Sequence, residues 1–144
     1  MSGLDKQFRE SQEKDMALED ITNPYSQDFS FNFDFDTDDL IDSGASDSNV
    51  DVAGGKLVLT SGTSGKMVSV PKTASANVSN ASYKITGEDL GNVTVEVSAD
   101  NGNNYQTLTS NQLSSITSTG RNLRVRVTLE SANAKVDALA IYYS

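Results

Sequence analysis

The sequence predicts an all-β fold, an antiparallel β-sandwich or jelly roll preceded by an N-terminal helical arm, and three observations carry that prediction. In Val93-Thr-Val-Glu-Val97 the valines share one face of an extended strand, Asp100-Asn101-Gly102 supplies residue types that tolerate φ > 0 in a turn, and Tyr105 begins the return strand. Leu123, Val125, Val127 and Leu129 repeat the two-residue period, with Arg124, Arg126 and Thr128 on the opposite face, as a half-buried antiparallel strand requires. Turn residues recur along the rest of the chain at intervals that give about eight short strands. The 144 residues suffice for one domain with a real core and are too few for two ordinary ones.

Residues 1–27 form the predicted arm and residues 28–144 the predicted sandwich. Ser2 with Asp5 makes a capping-box-like start, Glu, Lys, Gln, Met, Ala and Leu dominate to Thr22, and Asn23-Pro24 ends the helix. Leu4, Phe8 and Leu18 fall on one stripe that Ser11 and Asp15 interrupt, so this helix buries little against its own domain and is predicted to bind a partner. Phe29-Ser-Phe-Asn-Phe-Asp-Phe35 alternates strictly and is the first predicted strand, with aromatics that can bury on the order of 600 Å². The acidic, Ser/Gly-rich stretch Asp36–Asp51 has no period and reads as a loop. Lys56–Thr60 and Lys66–Val70 read as a second hairpin around Ser61-Gly-Thr-Ser-Gly65. Pro71 ends that hairpin, Tyr83–Thr86 is a further strand, and Val136–Tyr143 is the last.

The composition removes most enzyme classes. With no His and no Cys, Ser-His and Cys-His nucleophiles are excluded, and so are His-ligated or thiolate metal sites, so the chain reads as a non-enzyme. A carboxylate pair for glycoside hydrolysis would need a cleft for which this short chain has little sequence left. The net charge of −9 is unevenly placed: residues 1–52 hold fourteen acidic and three basic side chains, and residues 53–144 hold six acidic and eight basic. That asymmetry argues against nucleic acid as the partner and lets the acidic front of one copy meet the more basic body of another. No apolar run approaches a membrane span and no signal-peptide core is evident, so no membrane partner and no Sec export are expected.

Two groups of residues invite a functional reading. Asp34, Asp36, Asp38 and Asp42 alternate as oxygen ligands of calcium do, but the run fails as an EF-hand, with Asp39 and Ala45 where Gly and Glu are needed. A looser calcium site stands against a solvated loop, and the loop is the favoured reading, so no cofactor is expected. Arg124 and Arg126 share one strand face, either as a solvated outer surface or as a dock for an acidic segment of a neighbouring subunit.

Lys56-Leu-Val-Leu-Thr60, Gly65-Lys-Met-Val-Ser-Val-Pro71, Val93–Tyr105, Leu123–Leu129 and Leu139-Ala-Ile-Tyr-Tyr143 together resemble galactose-binding-like jelly-roll modules of the kind found in tail, baseplate and fibre proteins of tailed bacteriophages. Tyr105 stands where such modules often carry Trp, and the chain has no Trp. The resemblance covers residues ~29–144 and is a grammar of strand and turn, more telling of fold than of role. It implies a non-enzymatic virion component: a capsid decoration or head fibre, or a tail or baseplate protein, anchored through its arm to other virion proteins or to copies of itself. The alternatives are a carbohydrate-binding module that meets a host-surface glycan during adsorption, and a host-encoded secreted adhesion domain.

Overall fold

The computed structural model describes residues 30–144, and over that span the chain is all-β. The arm expected at residues 1–27, with Leu4, Phe8 and Leu18, lies outside the described residues, as does Phe29. Nine strands follow: β1 (Ser30–Phe33), β2 (Val50–Ala53), β3 (Lys56–Leu59), β4 (Gly65–Val68), β5 (Lys72–Glu88), β6 (Val93–Ser98), β7 (Gln106–Thr107), β8 (Ser114–Leu129) and β9 (Lys135–Tyr143). Among the described residues one 3-10 turn, Leu90–Asn92, leads into β6. Every pairing between these strands is antiparallel.

Two long strands organise the molecule. Residues 72–81 of β5 pair with residues 114–123 of β8, after which β5 turns to β9 (Ala81 opposite Tyr143, Glu88 opposite Lys135) and β8 runs on between β4 and β6. Register shifts between Thr73 and Asn80 mark where β5 bends, since an extra residue in one strand sharpens its local twist. One layer is then β2-β3-β9-β5 with β1 also on β9, and the other is β4-β8-β6-β7. A long strand that changes partners along its length closes a corner of a sandwich-like body without exposing a new edge. The alternating inner residues of both layers, among them Phe31, Phe33, Leu57, Met67, Val95, Val97, Leu123, Val125, Val127, Leu129 and Ile141, meet in one core.

The alternation of Phe29–Phe35 holds where it can be followed, because Phe31, Phe33 and Phe35 are all buried. The strand itself stops at Phe33, and Phe35 is buried from a left-handed turn (φ 56). The expected pairing of Lys56–Thr60 with Lys66–Val70 is incorrect. β3 pairs with β2 and touches β9, whereas β4 pairs with β8 in the other layer. The actual hairpin is β2–β3, closed by Gly54 and Gly55 at φ 62 and 77, a two-residue turn that glycine forms without strain. The stretch Asp36–Asp51 is accordingly a loop only in part, since its last residues open β2. Tyr83–Thr86 and Leu123–Leu129 are strands as expected, and each proves to be a fragment of a far longer one.

The rest of the acidic stretch covers the outer edge of β4. Asp47 N–H donates to Lys66 O (2.9 Å), and Lys66 N–H donates to Asp47 Oδ2 (3.0 Å). Val68 N–H donates to Ser46 Oγ (2.8 Å), and Asp42 N–H donates to Val68 O (2.9 Å). An irregular segment thus satisfies the edge groups that another strand would otherwise take. Gln106 does the same for β8: its side-chain amide donates to Ser115 O and accepts from Thr117 N–H (3.1 Å), standing in for a strand residue.

Candidate binding face

Alternation places Lys66 of β4, Arg124, Arg126 and Thr128 of β8, and Thr94, Glu96 and Ser98 of β6 on the outer face of one layer, because their neighbours Met67, Val125, Val127, Val95 and Val97 point into the core. Register then decides who meets whom. Glu96 lies directly opposite Arg126, and the guanidinium donates to both carboxylate oxygens, Nε to Oε1 and Nη2 to Oε2, each at 2.8 Å. The same guanidinium stacks over the Tyr105 ring, 4.0 Å from its centroid. Glu96 holds the Arg126 cation still more firmly protonated, and burial pushes the Tyr105 hydroxyl pKa up.

Arg124 reaches the other way. Its Nη1 donates to Asp42 Oδ2 (2.9 Å) and Ser69 O (3.1 Å), and its Nε donates to Asn101 Oδ1 (3.0 Å). That contact ties the edge-covering loop and the 98–104 turn to the sheet. The Arg124 hydrogen bond lowers the Asp42 carboxyl below the ordinary carboxylate range. In the adjoining turn, Asp100 accepts from the Asn104 side chain (2.7 Å), the Ser98 hydroxyl (2.7 Å) and Asn104 N–H (2.8 Å), which lowers its pKa to about 2. Asn101 and Gly102, at φ 62 and 91, form the positive-φ turn that the Asp-Asn-Gly motif announces.

Beside the Arg126–Glu96 pair lies an open depression of about 180 Å³ lined by Asp47, Ser64, Lys66, Glu96, Arg126 and Thr128. Its lining combines the Ser64 and Thr128 hydroxyls with Asp47, Lys66 and the Arg126–Glu96 pair. The four aspartates of the suggested calcium site are not drawn together there or elsewhere. Asp34 Oδ1 accepts from Asp36 N–H (3.1 Å), Asp42 is bound to Arg124, and among the described residues no group of three or more acidic side chains is arranged to hold a metal ion. The paired arginines share the expected face, with internal partners for both guanidiniums. Nothing local in the sequence marks Lys66 and Asp42 as their neighbours. Glu96 had a signal, an acid at an outward position of a period-two strand, but its register against Arg126 is not written locally.

The fold and this face define a sandwich-like β domain with a polar, ion-paired outer surface. Compared with family models, with curated proteins and with solved structures, the chain has no match.

Proposed function

We propose that this protein is a non-enzymatic structural component of a tailed-phage virion, a galactose-binding-like jelly-roll module anchored through residues 1–27. On the head it would serve as a decoration or fibre protein, and on the tail as a baseplate or surface component. The observation that carries the reading is how the charged side chains of the candidate face are used. Arg124 and Arg126, with Asp42, Glu96 and Asp100, hold loops and strands in place, which makes a stiff body suited to display and assembly. The resemblance of the strand and turn motifs to phage tail and fibre modules supplies the setting, and residues 1–27, ahead of the sandwich body, are the proposed attachment segment. The test is co-sedimentation. Particles purified by density gradient from the source culture should carry this chain, and a version lacking residues 1–27 should stay in the soluble fraction. Recovery of the full chain only in the soluble fraction would refute the proposal.

One observation favours a second reading, a carbohydrate-binding module for adsorption. The depression beside the Arg126–Glu96 pair is lined by hydroxyls and charged groups that could hydrogen-bond a sugar ring. Binding of the isolated body to immobilised host-surface glycans, lost in Lys66→Ala, would support it.

A further inference from the structure

Asn101 is the one asparagine of the chain that precedes a glycine, and it sits exposed in the 98–104 turn. That pairing is chemically labile. A backbone nitrogen can attack the carboxamide of the residue before it, and glycine, with no Cβ, leaves its nitrogen open to the approach. The step closes a succinimide ring: a bond forms between Gly102 N and Asn101 Cγ, and the Gly102 amide proton leaves with the carboxamide nitrogen as ammonia. Water then opens the ring to aspartate or isoaspartate, and either product adds a negative charge beside Arg124.

The folded turn binds both reacting groups and holds them apart. Gly102 N–H donates to Ser98 Oγ (2.8 Å), and the Ser98 hydroxyl is itself fixed by donating to Asp100 Oδ1 (2.7 Å). Ser98 is buried at the end of β6, so this acceptor is anchored in the sheet. On the other side of the turn, Asn101 Oδ1 accepts from Arg124 Nε (3.0 Å), and Asn101 N–H donates to Asn122 O (2.9 Å). Backbone rotation opposes closure as well. Asn101 has φ 62, and a residue with a Cβ in that left-handed region has a ψ of about +30 to +60°, which turns the next nitrogen to the far side of the Cα–C bond from the side chain. Ring closure needs the two on the same side.

We propose that Asn101 is a deamidation site gated by the Ser98 and Arg124 hydrogen bonds, silent while the turn is closed and converted through the succinimide when the turn opens locally. The conversion runs one way. Isoaspartate carries an extra methylene in the main chain between residue 101 and Gly102 N, so Asn122 and Ser98 can no longer be engaged together as they are now. The inference concerns how this face ages and is independent of the virion reading.

The full-length protein, folded or held in urea, is incubated in mildly alkaline buffer, and its tryptic fragment Ile85–Arg121 is sequenced by mass spectrometry. In urea Asn101 should be the first residue to gain one mass unit, and the folded chain should convert the same residue at least about ten times more slowly. Similar rates in the two conditions would overturn the gating, and conversion of Asn92, Asn103, Asn104 or Asn111 ahead of Asn101 would overturn the site. Ser98→Ala frees the Gly102 N–H and should raise the folded-state rate several-fold without changing the rate in urea. An unchanged rate in that variant, with its urea transition intact, would overturn the part given to Ser98. Leu57→Val lowers stability in the opposite layer and should leave the rate alone; a rate that rises with it would mean that only global unfolding exposes Asn101, and would overturn local opening.

Discussion

The Arg126–Glu96–Tyr105 cluster allows a quantitative test of whether the outer face is a rigid device or a set of incidental charges. Exposed ion pairs contribute about 0.2–1 kcal/mol, whereas hydrogen bonds to charged groups that are partly withdrawn from water contribute about 1.5–3 kcal/mol. The Arg126 and Glu96 side chains are 29% and 17% exposed and joined by two parallel bonds, which places the pair between those ranges. The stack on Tyr105 adds about 0.5–1 kcal/mol. Arg126→Met keeps the stem over the ring and removes the charge, and is expected to cost about 2 kcal/mol. A double-mutant cycle with Glu96→Gln, read by urea unfolding at neutral pH, should give a coupling of about 1 kcal/mol, and about half of it should survive molar salt because the pair is partly shielded. A coupling within about 0.3 kcal/mol of zero, or one abolished by salt, would show the two side chains to be independently solvated and would remove the stiffness argument.

Three further outcomes follow from the packing and hydrogen bonds of the two layers. Leu123→Ala empties a fully buried site between the layers and should cost about 3–5 kcal/mol, measured as a lowered urea midpoint with an unchanged slope. A Cβ on Gly120 would stand 2.3 Å from Ala99 O, so Gly120→Ala must push the 99–101 turn off β8 and should destabilise by about 2 kcal/mol or more, with shifted amides at Asn101 and Asn122. Asp100 titrates at about 2 in the folded chain against an ordinary 3.8, so the unfolded chain takes up the proton first. Its stabilisation is complete above pH 3.8 and is lost as pH falls toward 2. Asp100→Asn should therefore flatten the melting temperature against pH across that window, and an unchanged acid limb would contradict the assigned hydrogen bonds.

Face and turn were legible in the sequence because both are local properties. A period of two assigns Val95, Val97, Val125 and Val127 to the core and Arg124, Arg126 and Thr128 to the outside, whatever those strands pair with. Asp-Asn-Gly announces a positive-φ turn from residue types alone. The length of β5 and β8 was hidden, since 73–80 and 114–122 are rich in Ser, Thr and Asn and lack an alternating apolar signal. Their strand character comes from hydrogen bonds to each other across more than thirty residues of chain.

Partnership was settled only in three dimensions. Lys56–Leu59 and Gly65–Val68 look like natural hairpin mates in sequence, yet tertiary packing sends them to different layers, where Leu57 meets Val136 and Met67 meets Val127. Asp42 lies in an acidic stretch whose favoured reading in sequence is a solvated loop; folding brings it to Arg124, 82 positions away, and makes it the clasp of an edge-covering loop. The sequence by itself determined which residues face the core, where the chain can turn and which chemistries it lacks, because these depend on side-chain type and spacing alone. Strand order, register and the choice of ion-pair partners belong to the tertiary structure, because each depends on which distant segments share the buried surface, and the hydrophobic drive to bury that surface is non-directional.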